Sequence, residues 1–168
     1  MTSIISKILT PVPLTADAFA PFGAVFDLGK GEPGTRDAFA APMENFRADA
    51  KLNVSISRPL PVPLPLTVEW LERHPHSSQT FVPLEMSRYA VLVCPTKDDG
   101  TPNINSALTF IGTANQGLMY KPNVWHHPFA ALDRNGKSVM LRYDDGSDAD
   151  TEWFHVENGP VLDDPDCV

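Results

Sequence analysis

The stretch that decides the fold runs from Arg134 to Gly146 and reads Arg-Asn-Gly-Lys-Ser-Val-Met-Leu-Arg-Tyr-Asp-Asp-Gly. Its centre, from Ser138 to Tyr143, is short and rich in β-branched and aromatic residues, which is typical of a β-strand. The Asn-Gly pair before it favours a two-residue hairpin, and the Asp-Asp-Gly sequence after it favours another turn. The stretch therefore predicts a strand between two tight turns, with a hairpin at positions 134–137.

Short runs of the same character recur along the chain, separated by turn residues. They occupy positions 52–57, 80–84, 89–94, 107–111, 117–121 and 152–156. The clearest helix signal is Thr15, a favourable N-cap residue, followed by residues 16–20 and the helix-ending Pro21. Many short strands and one short N-terminal helix predict an all-β, cupin-like fold, an antiparallel β-barrel or double-stranded sandwich. We expect a single domain spanning residues 1–168.

The composition excludes several classes of protein. The chain has 13 Lys+Arg against 21 Asp+Glu, a net charge of −8, and an acidic chain repels phosphate backbones, so we expect no nucleic-acid partner. Two cysteines cannot form a disulfide scaffold. The first ten residues fit neither a signal peptide nor a membrane span. The sequence therefore predicts a cytoplasmic protein with no membrane partner.

Proline is unusually frequent, with 17 residues, and many of them lie in the run from 59 to 65. This run can be neither a helix nor a central strand, because proline lacks the backbone donor. A polyproline ligand for a partner domain is one interpretation. The apolar residues that alternate with the prolines are Leu60, Val62, Leu64 and Leu66. Because they share one face, we favour an extended connector that packs on the domain.

The first segment with chemical potential begins at Glu72-Arg73-His74-Pro75 and continues to Gln79 and beyond. On an extended strand, Glu72 and His74 project to one face and Arg73 to the other. Gln79 lies beyond a short turn and can return on a neighbouring strand to the face of Glu72 and His74. A carboxylate, an imidazole and an amide that converge suit a divalent metal or a small polar substrate. The ordinary alternative is a solvated strand face.

A second segment contains the adjacent histidines His126 and His127, with Trp125 and Pro128 on either side and Tyr120 upstream. Adjacent histidines on a strand point to opposite faces, so only one of them enters a given pocket. Trp125 and Pro128 favour packing and a turn. Tyr120 either donates a phenolic proton or satisfies a hydrogen bond in the core.

Together the two segments resemble the paired motifs of cupins, small barrels in which His-x-His, a following Glu and a late His hold a metal. His126 matches the late His, and Gln79 stands at the position of the Glu. Glu72 and His74 stand at the paired His positions.

More narrowly, the chain resembles the ureidoglycolate lyase family. That family is marked by Glu-Arg-His-Pro, a Gln-x-Phe-x-Pro-Leu tail and Tyr-His-x-Gly-x-Trp-His-His-Pro. The first motif is intact from Glu72 to Leu84. The second keeps Tyr120 and the Trp-His-His-Pro sequence but has Lys121 and Asn123 where His and Gly are usual.

The resemblance implies a lyase that splits ureidoglycolate into glyoxylate and urea in purine breakdown through allantoin. The substrate carbon carries a hydroxyl, a carboxylate and a urea nitrogen, so cleavage needs a base for the hydroxyl proton and an acid for the nitrogen. We expect His126 or His74 to be the base. Tyr120 or Glu72 would protonate or hydrogen-bond the urea nitrogen. Gln79 would bind the urea amide or the hydroxyl.

A loosely bound divalent metal is an alternative way to polarise the substrate, and no organic cofactor is expected. The metal ligands would be Glu72, His74, Gln79 and His126. The substrate carboxylate requires a cation, best a guanidinium. The candidates are Arg58, Arg88, Lys121 and Arg142, of which we take Lys121 and Arg58 as substrate-binding residues.

The family resemblance also implies a homodimer. Two other functions stay open from the sequence: another cupin enzyme, or a non-catalytic binding domain, in either case for a small hydroxy acid.

Overall fold

The computed structural model describes residues 7–37 and 42–164. Its elements in chain order are β1 (Ile8–Leu9), β2 (Val12–Pro13), α1 (Ala16–Phe19), β3 (Gly23–Asp27), β4 (Lys51–Ser57), β5 (Leu66–Thr67), β6 (Trp70–Arg73), β7 (Gln79–Glu85), β8 (Arg88–Cys94), a 3-10 turn (Ile104–Ser106), β9 (Leu108–Thr113), β10 (Gln116–Tyr120), β11 (Trp125–His126), β12 (Ala130–Ala131), β13 (Lys137–Asp144), β14 (Glu152–His155) and β15 (Val161–Leu162). The runs predicted as strands are strands, so the all-β prediction is confirmed.

Two large sheets pack face to face. A five-stranded sheet has the order β3-β10-β7-β13-β4, and a seven-stranded sheet runs β14-β6-β11-β8-β9-β2 with β12 paired to β8. The core between them combines Phe81 and Leu118 of the first sheet with Tyr89, Val91 and Phe110 of the second. The five-stranded sheet and most pairs of the seven-stranded sheet are antiparallel. Within the described residues the sheets form a sandwich and do not close into a barrel.

The short N-terminal helix forms where the sequence predicts it. The Thr15 hydroxyl accepts a hydrogen bond from the Ala18 backbone N–H at 3.3 Å, which satisfies one of the free donors of the first turn. Phe19 is fully buried, and its ring lies edge-on to Phe110 and Tyr120. The helix therefore closes one end of the core. No helix among residues 7–37 and 42–164 is long and apolar enough to cross a membrane.

The hairpin predicted at positions 134–137 is wrong. β12 pairs with β8 in the seven-stranded sheet, whereas β13 pairs with β4 and β7 in the five-stranded sheet, so this connection crosses between sheets. The residue with a left-handed backbone at this corner is Asp133, with φ of 63°. At Gly136 the chain approaches Met86 closely: a Cβ there would lie 2.7 Å from its Sδ, so the end of the Met86 side chain would have to shift. The Asn-Gly signal thus marks a close approach instead of a hairpin.

The proline run is an extended connector, as predicted. Val62, Leu64 and Leu66 are half-buried against the cluster formed by Ala90, Ala130, Leu132 and Leu162. The Val62 N–H donates to the Ala131 carbonyl at 3.0 Å. The prediction is wrong for Leu60, which is 73% exposed. The prolines leave few backbone donors, so side-chain packing is the main attachment of the run.

Candidate active site

A row of side chains on the seven-stranded sheet forms one side of the candidate site. His126 of β11 and Glu72 of β6 are register partners, so they project side by side toward the five-stranded sheet. The Nε2 atom of His126 lies 3.3 Å from Oε1 of Glu72. Asn123, with φ of 67°, turns the chain into β11, and its N–H donates to the His74 carbonyl at 2.8 Å. This turn holds the two motif segments together.

A second row comes from the facing sheet. Gln79 of β7 has Tyr120 of β10 as register partner on one side and Arg142 of β13 on the other. Oε1 of Gln79 lies 3.1 Å from Nε2 of His126. The ring of Tyr120 stacks on that of His126, with centroids 4.1 Å apart and planes 12° apart. The site therefore lies between the two sheets. Gln79 reaches it from the opposite layer, and not from a strand beside β6 as the sequence predicts.

His74 follows β6 and is 3% exposed. Its Nδ1 lies 2.7 Å from the Asp150 carbonyl, a contact that requires an N–H on Nδ1. The Nε2 atom must then carry a lone pair, and it is buried without a hydrogen-bond partner among the described residues. Burial is the main cause that lowers the pKa of His74 to about 4, and the charge of His126 is the second. The imidazole is therefore neutral at pH 7.

His126 is tied in the same way. Its Nδ1 donates to the Val124 carbonyl at 2.9 Å, which leaves Nε2 facing the oxygens of Glu72 and Gln79. A lone pair on Nε2 would face two acceptors. A proton on Nε2 or a cation bound there removes that conflict, whereas a reversed Gln79 amide removes only the Gln79 half of it.

The cluster fits a metal ion. One ligand atom from each of Glu72, His74 and His126 lies within 4.8 Å of the others, and the Gln79 oxygen is adjacent. Both imidazoles donate Nδ1–H to backbone carbonyls, which is the usual way in which metal-binding histidines are oriented. The unpartnered Nε2 of His74 is the kind of atom that a cation would satisfy. These residues can therefore hold a divalent cation.

The two candidate acids differ in protonation. Burial by itself raises the pKa of Glu72, but the hydrogen bond and charge of His126, together with weaker electrostatic contributions that include Arg142, outweigh it, so the pKa lies below its ordinary value and the carboxyl is ionised. Burial raises the pKa of Tyr120 well above its ordinary value, so the phenol stays protonated. Its hydroxyl is buried and without a partner among the described residues. Of the two, only Tyr120 has a proton to offer.

The structure does not bring Lys121 and Arg58 into this cluster. The Lys121 ammonium donates to the Ala20 carbonyl at 2.8 Å, at the end of α1. Arg58 follows Ser57, which pairs with the opposite end of β13 from Arg142. These two predicted substrate-binding residues therefore lie elsewhere in the protein.

Of the four candidate cations, Arg142 is the one at the site. Its Nη1 lies 3.3 Å from Nδ1 of His74 and donates to the Thr151 hydroxyl at 3.0 Å. Nη2 pairs with Asp144 at 3.2 Å. Arg88, in contrast, pairs with Asp133 on an exposed surface.

Sequence reasoning missed Asp150. This residue is 3% exposed, and its carboxylate accepts from the His76 N–H at 2.7 Å, the Ser77 hydroxyl at 2.5 Å and Nη2 of Arg47 at 3.4 Å. Its carbonyl accepts from His74. Asp150 thus fixes the loop that orients His74. No sequence signal distinguishes it, because it lies in a polar loop without a motif.

The lowered pKa of His74 predicts a pH-dependent stability. The unfolded chain binds this proton with a pKa near 6.5 and the native state only near 4, so the contribution is complete above pH 6.5 and is lost as the pH falls to 4. We expect the free energy of unfolding to fall by up to about 3 kcal/mol over this window. Urea denaturation at several pH values, in a chelating buffer, measures it. A His74→Gln variant should show a smaller pH slope, and equal slopes would contradict this origin.

The comparisons agree with the geometry. The model of the ureidoglycolate lyase family matches residues 6–161. A ureidoglycolate lyase of Pseudomonas syringae pv. tomato is 33% identical over 165 residues, covering 94% of this chain and 96% of that one. That of Azotobacter vinelandii is 34% identical (93% and 98% covered), and that of Chelativorans sp. is 39% identical (77% and 86%). Both segments that meet at His126 fall inside the matched range, and the chain belongs to the ureidoglycolate lyase family.

Proposed function

We propose that this chain cleaves ureidoglycolate to glyoxylate and urea, the reaction for which its relatives are named. The observation that carries the proposal is the convergence of a neutral imidazole, a second imidazole paired with a carboxylate, and a guanidinium in one largely buried space. A hemiaminal that bears a carboxylate needs these groups. No nucleophilic side chain is required, because the reaction consumes no water and forms no acyl intermediate.

The base in this proposal is His74. Its Nε2 lone pair has no other partner among the described residues, and it can take the proton from the substrate hydroxyl. The electrons of that O–H bond form the carbonyl of glyoxylate as the C–N bond breaks. The Asp150 carbonyl accepts the Nδ1–H and stabilises the imidazolium that forms.

The acid is His126, held by Glu72. Nε2 of His126 lies 3.3 Å from the ionised carboxylate of Glu72, and in this proposal it delivers a proton to the leaving urea nitrogen. The Tyr120 hydroxyl, still protonated, is a hydrogen-bond donor for the urea group. Gln79 offers an amide to the same group, and Arg142 binds the substrate carboxylate.

We also propose that Glu72, His74, His126 and the oxygen of Gln79 hold a divalent cation loosely. When bound, the cation would polarise the substrate hydroxyl and carboxylate. Support comes from the spacing of the ligand atoms and from the orientation of both imidazoles by backbone carbonyls. A cation and a proton compete for the same Nε2 lone pairs, so a bound metal and acid-base catalysis by the imidazoles are alternative mechanisms. Measuring the activity after metal removal distinguishes them.

Replacing His126 tests the acid. His126→Ala should keep the fold and lower glyoxylate release from ureidoglycolate by at least ~100-fold, because a positioned proton-transfer group contributes about that much. His127→Ala is the matched control: its Nδ1 contacts the adjacent Pro128 carbonyl, so we expect a change of only a few fold. Wild-type turnover in the His126 variant would remove it from the mechanism. Equal losses in both variants would indicate a structural role of the segment.

Metal removal tests the cation. Dialysis against a chelator should lower the rate of glyoxylate release in part, and adding Mn²⁺ or Zn²⁺ should restore it. A Gln79→Glu variant adds a charged ligand and should retain the metal more tightly in a dialysis assay with metal analysis. If the rate is unchanged in a protein verified as metal-free, the metal proposal is contradicted and only the acid-base mechanism is left.

We propose that two copies of the chain form a homodimer through the outer face of the five-stranded sheet. Because Arg142 and Gln79 face inward, the alternate residues of β13 and β4 face outward. Those of β4 are apolar and exposed: Leu52 is 49%, Val54 63% and Ile56 39% exposed. A solvent-facing sheet surface is normally polar, so this face favours a covering layer.

A second copy is the occupant that fits. Within the described residues β4 pairs only with β13, so its other edge is unpaired. Two outer faces packed on each other about a twofold axis near Val54 bring the apolar residues of both β4 strands into contact. A twofold contact of this kind uses one surface twice and buries the apolar face, with the unpaired edge of β4 at its border.

Light scattering on a sizing column tests this assembly. The wild type should elute with twice the chain mass of 18.4 kDa, and Val54→Asp should shift it to the monomer because two charges would be buried at the twofold axis. Leu60→Asp, at a residue that is 73% exposed on the proline run, should leave the dimer intact. A monomeric wild type, or a dimeric Val54→Asp variant, would contradict the proposal.

The cytoplasmic location and the single domain stay predictions. They rest on the charge, the cysteine content and the length of the chain. The site draws residues from both large sheets, which supports one folding unit because neither sheet alone completes it.

A further inference from the structure

The site row on the seven-stranded sheet continues to the sheet edge. Glu72 of β6 has His126 as its register partner on one side and Trp153 of β14 on the other. Register partners in antiparallel strands project from the same face, with Cβ atoms about 5 Å apart. His126, Glu72 and Trp153 therefore stand side by side, and Trp153 is the outermost.

Exposure increases along this row. His126 is 1% exposed, the Glu72 side chain 12% and Trp153 55%. On the facing sheet, Tyr120 is 1% exposed, whereas the Arg142 side chain is 20% exposed. The cluster is thus closed at its His126 and Tyr120 end and reaches solvent at its Glu72 and Arg142 end, beside β14.

A hydrogen bond supports the orientation of β14. Thr151 precedes Trp153 by two positions, so both project to the same face of an extended chain. The Thr151 hydroxyl accepts from Nη1 of Arg142 at 3.0 Å, which places this face toward the facing sheet. Arg142 and Trp153 therefore flank the open end of the cluster.

We propose that Trp153 is a specificity-determining residue that binds the planar ureido group of the substrate against its indole face. The proposal rests on the proposed function, in which Arg142 holds the carboxylate at the other side of the opening. A ureido group is flat and polar at its edges, so it can stack on an indole while its N–H and C=O groups remain hydrogen-bonded. The other rings described at the cluster, those of His74, His126 and Tyr120, are at most 3% exposed.

The chemistry of the position favours this role over packing. An indole that is 55% exposed contributes little to the core, yet it stands next to the site carboxylate. Trp70 lies one row further from His74 on the same face, and its ring packs against His155 at 4.7 Å. Trp70 is 47% exposed, so it is a matched control of the same residue type.

Two measurements test the role of Trp153. For turnover of ureidoglycolate, Trp153→Ala should raise KM about three- to tenfold and change kcat less than about threefold, whereas Trp153→Phe should stay near the wild type. The second measurement is the binding affinity for oxalurate, determined by calorimetry. In this probe the carbinol carbon of the substrate is a carbonyl, so it keeps the ureido group and the carboxylate but cannot be cleaved.

Oxalurate should bind Trp153→Ala about three- to tenfold more weakly than the wild type. Glycolate, which lacks the ureido group, should bind both proteins alike, and Trp70→Ala should bind oxalurate like the wild type. Equal oxalurate affinity in Trp153→Ala, an equal loss for glycolate, or no binding to the wild type overturns the proposal. So does a change of oligomeric state with no change in affinity, which would assign Trp153 to an interface.

These measurements distinguish failure of the proposed lyase activity from failure of the proposed role of Trp153. A wild type that binds oxalurate through Trp153 but releases no glyoxylate would overturn the lyase activity and keep the ureido-binding role. A wild type that turns over ureidoglycolate with an unchanged KM in Trp153→Ala would do the opposite.

Discussion

The site depends on one contact, in which Nε2 of His126 meets an oxygen of its own sheet and an oxygen of the facing sheet. Glu72 supplies the first at 3.3 Å and Gln79 the second at 3.1 Å. Because Nδ1 of this buried imidazole donates to a backbone carbonyl, Nε2 faces one acceptor from each sheet, an arrangement that a proton or a bound cation satisfies. The same atoms are therefore suited to protons and to a metal ion.

The strands that carry site residues also carry apolar residues on the outer face of the five-stranded sheet. The inward residues of β7 and β13 include Gln79 and Arg142 beside the apolar Phe81 of the core, and the residues that alternate with them face outward. Edge strand β4 follows the same alternation and exposes Val54. The outer face of the five-stranded sheet thus carries exposed apolar side chains, which are the basis of the proposed dimer.

Protonation is divided among the site residues by their surroundings. Burial keeps His74 neutral and Tyr120 protonated, whereas His126 keeps Glu72 ionised. One cluster therefore holds a free lone pair on His74, an imidazole paired with a carboxylate at His126, and a phenolic donor at Tyr120. Asp150 maintains it from outside the site, since its carbonyl selects the His74 tautomer and its carboxylate anchors the surrounding loop.

Local patterns determined much of this protein: period-two runs predict the strands, Thr15 predicts the helix start, and the two motifs contain Glu72, His74, Gln79 and His126. These features depend on neighbours in the chain, which a sequence displays. Tertiary structure decided the rest. It showed that the chain near Gly136 crosses between sheets, that Arg142 and not Lys121 or Arg58 reaches the cluster, and that Asp150 holds His74. These features depend on the register between distant strands and on the sheet to which each strand belongs. Both arise from the packing of two sheets, so neither can be read from a local sequence pattern.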